Sequence, residues 1–174
     1  KRMRKILEEL GSRDTIAIGG HVRPDGDCVG SCMGMYLYLK KALPDAQIDV
    51  YLEKPADIFD CIHGIEDVRT DCSKDCVYDV FIVLDTSKER SGIGKVFPDR
   101  EKEINVDHHI SNASGCGDVN YCKPDASSAS ELVYELLEEK YMDAEIAKAL
   151  YLGIVHDTGV FQYSNTTPNT LRIA

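Results

Sequence analysis

The chain has 174 residues, 43% of them hydrophobic, enough for one compact domain with its own core. Its formal net charge of −10 argues against a broad nucleic-acid-binding face on this segment, and no apolar run approaches the 18 or so residues of a membrane span. The basic start, Lys1-Arg-Met-Arg-Lys-Ile-Leu7, lacks the apolar centre of a secretory signal. Seven cysteines at irregular spacing fit reduced thiols in a cytoplasmic protein better than a disulfide framework. Cys28 and Cys32, four apart on a predicted helix, read as small apolar packing residues. Cys72 and Cys76 lack the second ligand pair that a zinc clip needs.

In chain order, residues 2–10 predict a short helix that Gly11 stops, and 15–20 a first strand. A second helix is expected over 29–43. It is apolar on nearly all sides through Met33, Met35, Tyr36, Leu37 and Leu39, and so is expected to be sandwiched, with Pro44 ending it. Strands follow at 48–52, 80–84, 103–106 and 119–122. Helices are expected at 128–139 and 143–157. The latter carries Ile146, Leu150 and Ile154 as one apolar stripe, with Asp143 as its cap. Thr167-Pro168 reads as a further helix start. Strands alternating with helices give an α/β, doubly wound, mostly parallel five-stranded sheet with helices on both faces. A chain that starts at Lys1 and ends one turn into a helix is expected to be the N-terminal domain, 1–174, of a longer protein.

Chemistry concentrates where the apolar runs end. Thr15-Ile-Ala-Ile-Gly-Gly20 leads into His21-Val-Arg-Pro-Asp25-Gly-Asp27, the run 80–84 into Asp85, and Ile104-Asn-Val106 into Asp107-His108-His109. Ligands of open α/β sheets bind beyond the carboxyl ends of the strands. Each piece also has a plain reading. Pro24-Asp25-Gly26 is an ordinary turn tripeptide, Asp85 could cap the turn after it, and the two histidines could sit in a solvated loop. The combination outweighs these readings: close carboxylates repel unless a cation neutralises them, and three of the five histidines lie at strand ends. Asp157 ends a helix, where an acid opposes the dipole, and a metal would explain it. His156 projects about 100° away and reads as structural. Arg23 is more readily a surface arginine than a phosphate contact. Carboxylates with imidazole and no thiolate suit Mn²⁺ or Mg²⁺, and two such ions could clamp a phosphoryl group and activate a water. The expected reaction is hydrolysis of a phosphate ester or anhydride.

H-x-x-x-D-x-D, an Asp after a strand, D-H-H and an Asp after a helix together resemble the DHH phosphoesterase superfamily. The resemblance runs from Ile16 to about Thr167. Ser127-Ser128-Ala-Ser-Glu131, Asp107-His-His-Ile-Ser-Asn112 and Asp157-Thr-Gly with Asn165-Thr-Thr167 are similar to its oligoribonuclease (nanoRNase) and 3′-phosphoadenosine 5′-phosphate (pAp) phosphatase branch. The resemblance implies that His21 and Asp25 bind one Mn²⁺, that Asp27, His108 and Asp157 bind a second, and that Asp85 bridges them. It implies that Asp107 orients an imidazole and that His109 faces the substrate phosphate. It also implies a smaller C-terminal substrate-binding domain of the same polypeptide and a short oligonucleotide or small nucleotide as substrate; a homodimer stays open. Manganese inorganic pyrophosphatase, RecJ-type exonuclease and cyclic-dinucleotide phosphodiesterase are the rivals within the superfamily. A non-catalytic metal-stabilised domain is the rival outside catalysis.

Overall fold

A computed structural model describes residues 4–71, 77–87 and 99–174. Five strands form one all-parallel sheet: β1 (Thr15–Gly19), β2 (Gln47–Tyr51), β3 (Val77–Leu84), β4 (Asp99–Asp107) and β5 (Val119–Cys122), in the order β2-β1-β3-β4-β5. The chain winds outward one way from β1 to β2 and the other way from β3 to β5. The switch point between β1 and β3 leaves a crevice at their carboxyl ends. Side chains alternate across the strands. Ile16, Ile18, Val80, Ile82, Leu84, Ile104 and Val106 enter the larger core, while Ala17, Tyr51, Tyr78, Phe81 and Val83 form a smaller one. The α/β class and the parallel sheet match expectation.

The helices are α1 (Ile6–Leu10), α2 (Gly26–Ala42), α3 (Ala129–Leu136), α4 (Ala144–Asp157) and α5 (Pro168–Ile173). Helices α1 to α4 send buried residues into the larger core, and none of the smaller core's described residues is helical. The sandwiching of α2 is borne out: Met33, Met35, Tyr38 and Leu39 are fully buried, each stabilising by about 1.5–3 kcal/mol. At Gly30 a Cβ would stand 2.5 Å from the Ala149 carbonyl oxygen, so the backbones of α2 and α4 touch there. Asp143 caps α4 by accepting from Ile146 N at 2.9 Å, and Thr167 forms a capping box with Thr170 at α5. No described helix is long and apolar enough to cross a membrane.

Three expectations need correction. Helix α2 begins at Gly26 rather than 29, because the Asp25 side chain accepts from Asp27 N and Cys28 N and caps the helix. Strands β3 and β4 are longer than their apolar runs. Register continues outward to Val77 opposite Asp99, where Arg100 pairs with Glu103 and Lys102 with Glu9. Helix α3 stops at Leu136, and residues 139–141 form a separate 3₁₀ turn. Cys72 and Cys76 lie outside the described residues, as does the start of the first predicted helix.

Candidate metal centre

The crevice at the switch point gathers His21, Asp25, Asp27, Asp85, His108, His109 and Asp157 from four separate segments. His21 follows β1. Its Nδ1 lies 2.7 Å from the Val22 carbonyl, which can only accept, so Nδ1 carries a proton and Nε2 is the nitrogen turned to the cluster. Nε2 faces Asp85 at 3.3 Å and Asp25 at 3.6 Å. Asp27 sits in the first turn of α2 and is fully buried. The amino end of α3 holds its carboxylate: Ala129 N donates to Oδ2 at 2.7 Å, while Ser130 N and Ser130 Oγ donate to Oδ1 at 2.9 and 2.6 Å. That grip fixes the carboxylate and leaves an Oδ2 lone pair facing the cluster.

Asp85 follows β3 in the left-handed region, φ 59°, which turns its side chain back over the strand ends. Its amide donates to the Val106 carbonyl at 2.9 Å. His108 Nε2 points into the middle, 3.1 Å from Asp157, 3.4 Å from Asp85 and 3.6 Å from Asp27. None of these contacts has hydrogen-bond geometry. Among the described residues, buried Asp85 Oδ1 and His108 Nε2 have no hydrogen-bond partner. Orphaned buried polar atoms are costly, and here an acceptor and an imidazole nitrogen aim at one place. A divalent cation taking oxygen and nitrogen donors fits that place.

The charges agree. Burial, then the negative charges of Asp85 and Asp157, push the Asp27 carboxyl well above its ordinary range. Burial would lower both imidazoles, but Asp157 and Asp85 push His108 up to about 11, and Asp25 and Asp85 raise His21 far above its usual value. At Asp25 burial opposes ionisation, yet His21 and the Cys28 amide bring the carboxyl down to about 2. The cluster holds more negative charge than its surroundings can solvate, and protons occupy the role a cation would take.

Asp107 behaves differently. Its Oδ1 accepts from His108 N, His109 N and His109 Nδ1 at 2.8, 3.3 and 2.7 Å, and its Oδ2 accepts from Asn112 Nδ2 at 2.7 Å. Burial opposes ionisation there, but these bonds hold the carboxyl below its ordinary range. The carboxylate is spent on orienting His109, which donates through Nδ1 and turns Nε2 outward. Asn112 also donates to Asn105, whose amide donates to the carbonyls of Val83 and Thr86. A buried polar network thus braces Asp85 and Asp107 from behind.

The cluster contains groups that sequence reasoning passed over. His156 was set aside as structural, but a ligand atom of its ring lies within 4.8 Å of one on Asp25 and one on Asp157. It reaches them because Gly26 leaves room: a Cβ there would stand 2.6 Å from the His156 Cβ. Ser130 anchors Asp27. Asn165 splits its amide hydrogens between the carbonyls of Ser127 and Asp157 at 3.1 and 3.0 Å, tying the entrance of α3 to the end of α4. The polar stretch at residues 127–131 and Asn165 were the available signals. Cys28 Sγ lies near His21 and Asp85, but burial raises its thiol well above the usual range, so it remains a poor ligand. Arg23 is exposed in the loop after β1, its amide donating to Glu53 at 2.7 Å.

The sequence profile of the DHH family, N-terminal domain, matches residues 15–154. The bifunctional oligoribonuclease and PAP phosphatase NrnA of Bacillus subtilis is 31% identical over 98% of this chain and 54% of its own length. The protein of the same description from Thermus thermophilus is 30% identical over 100% of this chain and 53% of its own. An exopolyphosphatase-related protein from Bacteroides fragilis has the same fold, with a TM-score of 0.76 and 26% identity over 93% of this chain and 51% of its own. The chain spans about half the length of the curated relatives it matches. With a profile match across most of the sheet and its helices, the chain belongs to the DHH family, of which it carries the N-terminal domain.

Proposed function

We propose that this chain is the metal-holding half of a hydrolase that cleaves short oligoribonucleotides and 3′-phosphoadenosine 5′-phosphate. The observation that carries the reading is the convergence of orphaned Asp85 Oδ1 and His108 Nε2 inside a ring of carboxylates. His21 and Asp25 would hold one Mn²⁺, Asp27, His108 and Asp157 a second, and Asp85 would be shared. When bound, such ions supply charge neutralisation and an activated water. Among the chain's own groups, His109 faces the substrate through Nε2 and delivers a proton to the leaving oxygen. Asp107 steadies the ring through its Nδ1. Asp27 is held by α3 so that it does not swing when ions or substrate arrive.

The relatives' names, and their length, support the substrate class and a further substrate-binding domain in the same polypeptide. Reduced thiols accord with a cytoplasmic setting: among the described residues Cys28, Cys32, Cys61 and Cys122 are free thiols. The test offers the Mn²⁺-loaded full-length gene product pAp, a short RNA, a cyclic dinucleotide and pyrophosphate in parallel. Turnover of pAp and short RNA is expected, falling by about 10²- to 10⁴-fold in His109→Ala. Preferential loss of pyrophosphate would move the chain to a pyrophosphatase reading, and bound metal without any turnover would make it a binding domain.

A further inference from the structure

Beside the cluster lies a second feature that the phosphate chemistry leaves unused. An open cavity of about 600 Å³ runs along the outer face of α4, lined by Ile58, Lys148, Tyr151, Val155, His156 and Val160 among others. Its size is that of a small-molecule site. We propose that it receives the nucleobase of a nucleotide whose phosphate lies at the metal centre. The proposal rests on the reading of the chain as a nucleotide-directed phosphoesterase.

Three observations lead there. The first is continuity. His156 lines the cavity and also groups with Asp25 and Asp157, so one side chain belongs to both. Tyr151 stands five residues earlier on α4, about 7.5 Å along the axis. That is on the order of the distance from phosphate to base in one nucleotide.

The second is the wall. Gly159, Val160 and Phe161 are all left-handed, with φ of 56°, 58° and 63°. A β-branched residue there is a genuine outlier and persists only where its surroundings enforce it. Thr158 does so: its Oγ1 donates to the Ile154 carbonyl at 2.7 Å and accepts from Phe161 N at 3.0 Å, while its carbonyl accepts from Gln162 N at 2.9 Å. The turn immediately follows Asp157. Its result is to hold Val160 outward, 63% exposed, and to bring the Phe161 ring within 6.2 Å of Tyr151.

The third is the chemistry of the occupant. Ile58, Tyr151 and Val160 make an apolar face with a supported aromatic ring, and Lys148 adds a cation at its edge. A flat, uncharged ring tethered to a phosphate suits that face, and stacking on tyrosine tolerates any base.

The test measures equilibrium binding of 5′-AMP and of ribose 5-phosphate to the Mn²⁺-loaded full-length protein. The second ligand keeps the phosphate and sugar and lacks the base. AMP should bind about 10- to 100-fold more tightly. Tyr151→Ala should collapse that ratio towards one, and Tyr151→Phe should restore it. Equal binding of the two ligands, with pAp still hydrolysed, would overturn the base site and leave the phosphoesterase reading standing. If neither ligand binds and no nucleotide is hydrolysed, both fall together. If Tyr151→Ala keeps the ratio but converts a dimer to monomers in sedimentation, the face belongs to a second copy and the proposal is overturned.

Discussion

Asp107 and Asp85 show how two aspartates at neighbouring strand ends take opposite tasks. Asp85 keeps an oxygen free and buried, whereas Asp107 has both oxygens occupied by donors. Position alone does not show the difference, since each simply follows an apolar strand; only the family resemblance implied it, with Asp85 bridging and Asp107 orienting an imidazole. It depends on Asn112, which reaches Asp107 only because the chain turns sharply at residues 110–112. Replacing Asn112 with Ala removes the bond to Asp107 Oδ2 and one to Asn105. The expected result is a loss of about 10- to 100-fold in turnover with the fold retained, as for other groups that orient a ligand or an acid. Steady-state kinetics beside a thermal melt checks it, and unchanged kcat in a folded variant would show that Asp107 needs no such support.

Among the elements, the contact of α2, α3 and α4 decides whether the cluster forms. The candidate ligands at strand ends were readable because parallel strands present whatever follows them to one edge. Asp157 was readable because an acid at a helix end is unfavourable without a partner. The start of α2 was not, because Pro24-Asp25-Gly26 satisfies the rules of a turn and of a helix cap equally well. His156 was missed because helical projection alone takes no account of the space above Gly26. Gly153 is a further such position: a Cβ there would collide with Ser130 Oγ and come within 3.0 Å of Asp27 Oδ1. Gly153→Ala should therefore destabilise by about 1–3 kcal/mol as an overpacked core site does. It should also weaken metal binding by displacing Asp27. Denaturant melts with and without Mn²⁺ would separate the two effects, and an alanine variant with wild-type metal affinity would contradict the role given to the α3 grip.

For the whole molecule the balance of charge predicts how ion binding depends on pH. Without an ion, Asp157 and Asp85 raise His108 to about 11 and Asp25 and Asp85 raise His21 as well, whereas each proposed ion would take one ring in its neutral form. Binding therefore expels protons, and affinity must rise with pH through the neutral range. With one imidazole proton released per ion, the rise at each of the two places is up to about 10-fold per pH unit below these values. Calorimetry in buffers of different ionisation enthalpy counts the protons directly. A Kd that stays flat from pH 6 to 8 would mean that the rings are already neutral. Chelation should lower the melting temperature correspondingly, since saturating ion at 100 times its Kd stabilises by about 2.7 kcal/mol.

The hold of α3 on Asp27 has a consequence for how the protein is made. Asp27 is anchored by residues 102 and 103 positions later in the chain. A ribosome-bound fragment that ends before α3 contains the proposed early ligands His21, Asp25 and Asp27 but cannot fix the last of them. Tight capture of an ion must then await synthesis of the final third of the domain, so the ion reports that the sheet has closed in its proper order.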